Sequence, residues 1–187
     1  IGGEVDTPAQ EVPRGFVQVL GKLNFTISGN KSSGRVELAK AMTSRKNPLT
    51  ARVMVNRVWA RLFGRGLGET EEDFGPQGMV PSHPELLDWL AVDFRENGWS
   101  IRKLIRRIVL SSTYRQSTIT TDRKLAVDPG NQLLSRGPRF RLSAEQVRDQ
   151  ALAVSGLLAR QTGGPSVMPP QPDGVWKSTY NALTWQD

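Results

Sequence analysis

The chain has 187 residues, of which 37% are hydrophobic, and a formal net charge of +7. This length and composition suit one ordinary globular domain. No apolar run approaches the ~18 residues needed to cross a bilayer, so we predict no transmembrane segment. The chain has no cysteine and only one histidine, His83, which excludes disulfides, thiolate zinc sites and cysteine nucleophiles. We therefore expect no metal site and no bound cofactor.

We predict an irregular lead-in over residues 1–34, in which prolines and glycines separate short apolar pieces. Two of these pieces, 15–20 and 24–28, are suited to a short hairpin. We expect a helical domain over residues 35–164, with its first helix at about 35–44.

The second helix is predicted to start at Asn47 and Pro48, because asparagine accepts from free backbone donors and proline is tolerated in a first turn. It is predicted to run to about Phe63 and to stop at Gly64. Its apolar residues cover more than one face, which predicts a helix at the centre of the core.

Three polar residues, Arg52, Asn56 and Arg57, lie within the apolar surface of this helix. A buried polar group must find partners. These side chains therefore either line a ligand pocket or bond to carbonyls of the connector that follows. His83 belongs to the same group of candidates, and the alternative for it is a hydrogen bond across a helix start.

The connector, residues 65–81, contains four glycines and a dense acidic cluster. The cluster consists of Glu69, Glu71, Glu72 and Asp73. Carboxylates can bind a hard cation such as Ca²⁺, but this spacing lacks the ordered ligand alternation of an EF-hand. It favours a solvated or arginine-paired loop.

Ser82 and Glu85 match a capping box, which predicts a third helix over about 83–97 that stops at Gly98. Ser100 is predicted to cap a basic amphipathic helix over about 101–115.

Residues 116–141 are predicted to be a loop. Ser143 and Gln146 match a second capping box, for a last helix that reaches about residue 161. Residues 165–187 are predicted to follow as a Pro-rich extended segment. The fold class is thus all-α, with about five helices in an irregular bundle joined by long ordered loops.

Positive charge is concentrated in residues 98–148, which hold eleven of the 25 basic residues and three acidic ones, a local net charge of +8. Such a segment favours anionic partners, or else forms a solvated helix face with loop arginines bonded to carbonyls. Helix-turn-helix spacing is lacking, which disfavours nucleic acid. The candidate anion-binding residues are Arg102, Arg106, Arg107, Arg136, Arg139 and Arg141.

Several segments together resemble a planctomycete-type domain of unknown function found in large exported proteins, often with cytochrome c-like domains upstream. The resemblance rests on residues 11–20, 33–78, 81–117, 128–156 and 163–167. It implies an exported, periplasmic or cell-surface setting and partners among other domains of the same polypeptide. It also implies that the domain continues beyond a PxGxW-like stretch and past Asp187. It brings no settled activity and no catalytic residues.

Three functions remain open. The favoured one is a non-catalytic interaction or scaffold module that contacts acidic polysaccharide or an acidic protein face. The second is a glycan-active enzyme, for which two carboxylates must face each other roughly 5–9.5 Å apart. The third is a docking module for an electron-transfer domain. Candidate carboxylates for the enzyme are Glu72, Asp73, Glu85 and Asp88.

Overall fold

A computed structural model describes residues 15–20, 33–71, 73–161 and 163–165. These residues contain no strand, and the predicted all-α class is confirmed. They contain six α-helices, one more than expected. The elements are a short 3-10 helix (Gln18–Leu20), α1 (Arg35–Met42), α2 (Leu49–Phe63), α3 (Pro84–Glu96), α4 (Ile101–Val109), α5 (Asp122–Val127) and α6 (Ala144–Val154).

Helix α2 is central, as predicted, because it packs against both α3 and α4, which also contact each other. Buried side chains recur at helical spacing on the facing surfaces of these three helices. Burial of each large apolar side chain contributes about 1.5–3 kcal/mol. The buried cluster consists of Ala51, Val55, Trp59, Leu67, Leu87, Leu90, Ala91, Phe94, Leu104 and Ile108.

The connector after α2 is tied to that helix by Asn56, whose side chain is fully buried. Its Oδ1 accepts from the Gly68 N–H at 2.9 Å, and its Nδ2 donates to the Gly68 carbonyl at 2.8 Å. The side-chain amide thus pairs with both backbone groups of one residue. A Cβ on Gly66 would lie 2.5 Å from the Gly68 oxygen, so the close approach requires glycine. These hydrogen bonds place the neighbouring Leu67 in the core.

The predicted helix stops at Gly64 and Gly98 are confirmed, since both glycines adopt the left-handed conformation with φ of 79° and 71°. At the end of α3 the Trp99 N–H bonds to the Phe94 carbonyl at 2.9 Å, and the two rings meet edge to face. Ser100 caps α4 by accepting from the Lys103 N–H.

The capping box predicted for Ser82 and Glu85 is wrong. Helix α3 begins at Pro84 with His83 at its N-cap, and no side chain caps it. The Ser82 hydroxyl donates instead to the Leu67 carbonyl of the connector at 3.2 Å. The Ser82 hydroxyl therefore bonds to a residue distant in the chain and not to the start of α3.

Helix α4 ends at Val109, earlier than the predicted Arg115. The Ser111 hydroxyl bonds the Ile108 carbonyl and accepts from the Tyr114 N–H, which stabilises turns in place of further helix.

The capping box of Ser143 and Gln146 is confirmed at the start of α6. The helix stops at Val154 rather than near 161, because Gly156 is left-handed with φ of 77°. Residues 116–141, predicted as a loop, contain α5, which Thr121 caps through the Lys124 N–H.

Residues 18–20, assigned to the possible hairpin, form a 3-10 helix instead. The predicted partner piece, 24–28, and residues 166–187 of the Pro-rich segment lie outside the described residues. The chain divides into two compact units, 1–140 and 141–187, and α6 belongs to the second. None of the helices in the described ranges is long and apolar enough to span a bilayer.

We predict that Asn56→Ala lowers the free energy of unfolding by about 2–4 kcal/mol, because it leaves both buried backbone groups of Gly68 unsatisfied. Urea denaturation followed by tryptophan fluorescence measures the loss. The matched control is Asn97→Ala, which removes bonds to Asp93 at the half-buried end of α3 and should cost less than about 1 kcal/mol. A change for Asn56→Ala within about 0.5 kcal/mol of wild type would contradict the prediction.

Candidate anion-binding pocket

A pocket of about 380 Å³ lies between the C-terminal end of α2, the connector and residues 120–139, all within the first compact unit. We call it the arginine pocket. Its charged lining residues are Arg65, Glu69, Arg136 and Arg139. Its neutral polar lining includes Ser82, Thr120, Asn131 and Gln132, and its apolar lining includes Trp59, Phe63, Leu67, Leu125 and Leu134.

Helix α2 and the connector form one wall of the arginine pocket. Trp59 and Phe63, one helical turn apart, stack with ring centroids 4.1 Å apart, and Tyr114 meets Phe63 edge to face. The bonds from Asn56 to Gly68 hold the connector at this end of the helix. These bonds therefore fix the connector backbone of this wall at Gly68.

The opposite wall is the segment 128–136, braced by its own side chains. The buried Asp128 carboxylate accepts from the backbone N–H groups of Gln132 and Leu133, at 2.8 Å each. The Asn131 amide bonds both backbone groups of Arg136, accepting from its N–H and donating to its carbonyl. These bonds fix the segment that presents Arg136 to the pocket.

This wall also carries backbone strain. Asn131 and Leu134 have positive φ values of 52° and 54°, a conformation that is unusual for a bulky residue such as leucine. The Leu134 carbonyl accepts from the Gln116 side chain at 2.8 Å. Strain of this kind costs on the order of 1–3 kcal/mol and persists where surrounding bonds impose it, often at functional sites.

Arg136 holds an unpaired donor inside this structure. The residue is 7% exposed, and its Nη2 donates to the Pro129 carbonyl at 2.8 Å. Its Nη1 is buried without a hydrogen-bond partner. A buried unsatisfied donor costs about 1–3 kcal/mol, and more when it is charged. One arginine of the pocket lining therefore has a buried cationic nitrogen that lacks an acceptor among the described protein groups.

Arg65 has partners on the pocket wall. Its Nη2 pairs with Glu69 Oε2 at 2.5 Å. With the Gln132 amide assigned by its hydrogen bonding, the Gln132 oxygen also accepts from Arg65 at 2.7 Å. Arg139 is exposed at the pocket. Among the described residues that line the pocket, three are arginines and one is a carboxylate, so the lining has an excess of positive charge.

The six arginines predicted to bind anions are not gathered at one place. Arg136 and Arg139 line the arginine pocket, whereas Arg102 and Arg106 are exposed on α4. Arg141 belongs to the second compact unit.

The Arg107 side chain contacts two residues of α3. Its Nε pairs with Asp93 at 2.9 Å, and its guanidinium lies 5.4 Å from the Trp89 ring centroid. It therefore stabilises the contact between α3 and α4.

The second group of candidates also separates. Asn56 donates to a carbonyl of the connector, which is the second of the two interpretations given above. Arg52 bonds instead to Asp88 and to the Pro48 carbonyl. Arg57 is exposed on α2. His83 Nδ1 lies 3.0 Å from Ser82 Oγ at the start of α3, a hydrogen bond across a helix start.

The candidate catalytic carboxylates have other partners or lie elsewhere. Asp73 accepts from the Gly75 N–H, and Asp88 pairs with Arg52. Glu85 is exposed in the first turn of α3, and Glu72 lies outside the described residues. Within the described part of the chain, no group of three or more His, Asp and Glu side chains could hold a metal ion.

Sequence reasoning missed Arg65, Asp128, Asn131 and Gln132. The run Asp128-Pro-Gly-Asn131 is a turn signal that could have indicated an ordered loop. Nothing local shows that this turn meets the end of α2, because the two segments are some sixty residues apart in the chain.

The fold and the pocket define a helical domain with an arginine-lined cavity beside its central helix. The model of the PSD1 family, described as "Protein of unknown function (DUF1553)", matches residues 34–186. The chain belongs to this family, and the match includes every residue that lines the arginine pocket. Comparison with curated proteins and with solved structures found no match. Planctomycete-type origin and upstream cytochrome c-like domains stay predictions.

We predict that Asp88→Asn destabilises the protein in a pH-dependent way. The hydrogen bond from Arg52 lowers the pKa of Asp88 below its ordinary value of 3.8. A lowered pKa stabilises the folded state above the unfolded pKa, and this contribution is lost as the pH falls through the folded value. Because the side chains are 31% and 51% exposed, we expect a loss of about 0.5–1 kcal/mol at pH 7. This loss should shrink below about pH 4 and disappear as the pH falls through the lowered pKa of the folded state.

Urea denaturation at pH 7 and pH 3 measures this difference. The control is Glu96→Gln, another exposed carboxylate of α3. A difference between wild type and Asp88→Asn that is equally large at both pH values would show that the ion pair is not its source.

Proposed function

We propose that this domain is a non-catalytic interaction module that binds acidic polysaccharide through an anionic group held in the arginine pocket. The observation that carries the proposal is the buried Nη1 of Arg136, which has no acceptor in a pocket with three arginines and one carboxylate. An oxyanion in the pocket supplies the missing acceptor once a lining side chain shifts and exposes this nitrogen.

Charge-assisted hydrogen bonds support binding of an anion here. Bonds between guanidinium and an oxyanion are shorter and stronger than neutral ones, and the guanidinium fork matches carboxylate and sulfate geometry. The backbone of Arg136 is fixed through Asn131, and its Nη2 through Pro129. Little side-chain entropy is therefore lost on binding, which favours affinity.

The neutral lining favours a sugar over a protein face. Hydroxyls of Ser82 and Thr120 and amides of Asn131 and Gln132 line the same pocket, and these groups can bond sugar hydroxyls. The pocket is recessed, whereas an acidic protein face is broad and meets flatter surfaces. An acidic protein face is thus the alternative partner.

The charges at the pocket favour binding over hydrolysis. Acid–base cleavage of a glycoside uses two carboxylates across the bond. Of the described residues that line the pocket, only Glu69 is acidic, and its carboxylate is paired with Arg65.

The exposed cations of α4 can add long-range attraction. Arg102, Lys103 and Arg106 are exposed, and α4 contains no acidic residue. Such charges steer anions and raise association rates at low salt.

The cellular location of the protein is a second part of the proposal. We infer an exported location within a larger protein, where neighbouring domains of the same polypeptide are further partners. This rests on the sequence resemblance to domains of large exported proteins.

We predict that the protein binds polygalacturonate and dextran sulfate but not neutral dextran, in titration calorimetry at low salt. Arg139→Gln should weaken binding about tenfold or more, because one charge-assisted bond is lost. The matched control is Arg115→Gln, which removes an exposed arginine that does not line the pocket and should leave affinity within about twofold.

Equal losses in the Arg139 and Arg115 variants would indicate nonspecific charge attraction and reject the pocket. Binding to poly-glutamate alone would replace the polysaccharide by an acidic protein partner. Absence of binding to every anionic polymer would reject the proposed function.

A further inference from the structure

We propose that Glu69 is an internal counter-ion of the arginine pocket, which a single acidic sugar unit displaces from Arg65 when it binds. The ligand is one hydroxylated ring that carries a carboxylate or a sulfate ester. This inference rests on the proposed function, because it describes how the same pocket takes its anion.

The size and chemistry of the pocket limit the ligand. A volume of about 380 Å³ is near the lower end of small-molecule sites, which fits one sugar unit better than a chain. Only one pocket donor, Arg136 Nη1, is both buried and unpaired among the described side chains that line it. One oxyanion therefore satisfies it.

Glu69 is placed to be displaced. It pairs with Arg65 at 2.5 Å, and the two side chains are 46% and 35% exposed. Exposed pairs of this kind contribute little to stability, so exchange of one carboxylate for another is easy. The bonds from Asn56 to the adjacent Gly68 hold the backbone in place, so that only side chains need to move.

Arg65 is also held by Gln132 of the segment 128–136, whose amide oxygen accepts from the same Nη2 that pairs with Glu69, at 2.7 Å, and from Nη1 at 3.2 Å. When Glu69 leaves, the Arg65 guanidinium remains at the pocket and can face the ligand. Because Arg136 Nη1 is buried, a ligand oxygen reaches it only after a lining side chain shifts. Glu69, which leaves Arg65 in this proposal, is a charged lining group with the exposure to do so.

We predict that loss of the Glu69 carboxylate strengthens anion binding, although Glu69 lines the pocket. If Glu69 competes with the ligand for Arg65, its removal strengthens anion binding. If Glu69 instead braces the pocket or bonds the ligand, its removal weakens binding or leaves it unchanged.

The experiment is an NMR titration of the intact chain with galacturonate, galactose 6-sulfate and galactose, which differ in the group at one position of the same ring. We expect wild type to bind one or both acidic sugars more tightly than galactose. Tighter binding of galacturonate identifies a carboxylate as the source of the oxyanion, and tighter binding of galactose 6-sulfate identifies a sulfate ester. Glu69→Gln should bind the acidic sugar about fivefold to tenfold more tightly, with no gain for galactose.

Two further variants complete the test. Glu85→Gln, which neutralises an exposed carboxylate of α3 that does not line the pocket, should leave affinity unchanged. Arg65→Gln should weaken binding and remove the gain when combined with Glu69→Gln. Urea denaturation midpoints close to that of wild type show that Glu69→Gln and Arg65→Gln fold.

The outcomes separate the two proposals. If wild type discriminates acidic sugars but Glu69→Gln does not bind them more tightly, the counter-ion role is rejected and the proposed function stands. If wild type binds all three sugars equally or none of them, the single-unit ligand is rejected. The polymer titrations then decide the proposed function independently.

Discussion

The paired hydrogen bonds between Asn56 and Gly68 are the constraint on which the rest of the structure depends. They occur on the central helix, where an unpaired amide would be costly, and they join that helix to the connector. Through them Leu67 enters the core. Arg65 and Glu69, on either side of this attachment, are thereby placed at the arginine pocket. One buried side chain thus fixes both a part of the core and one wall of the site.

The second wall is fixed by different means. Asp128 and Asn131 satisfy backbone groups within a short loop, and this network offsets the cost of the left-handed Leu134. Two walls that are braced separately fix the backbone of the connector wall and the position of Arg136 before a ligand binds. This arrangement explains how an arginine can remain buried with one nitrogen unpaired. The surrounding bonds hold it there without a local acceptor.

Arginines have distinct roles in this chain although their chemistry is the same. Arg52 and Arg107 pair with carboxylates of α3 and stabilise helix contacts. Arg102 and Arg106 remain exposed on α4, and Arg136 is buried in the pocket wall. A local charge of +8 therefore overstates the cations gathered at any one surface. Partners within the fold, rather than the number of basic residues, decide which of them can meet a ligand.

The sequence by itself determined the helical class, the central position of α2, and the ends at Gly64, Gly98, Ser100 and Ser143, because these features depend on neighbouring residues. Local reasoning was wrong at Ser82, whose hydroxyl bonds Leu67 fifteen residues away. It could not distinguish Arg136 from Arg102, since both are arginines in one basic segment. Only the tertiary structure decided that Arg136 is buried and that Arg52 and Arg107 pair with carboxylates of α3, because burial and these pairings depend on segments that are distant in the chain.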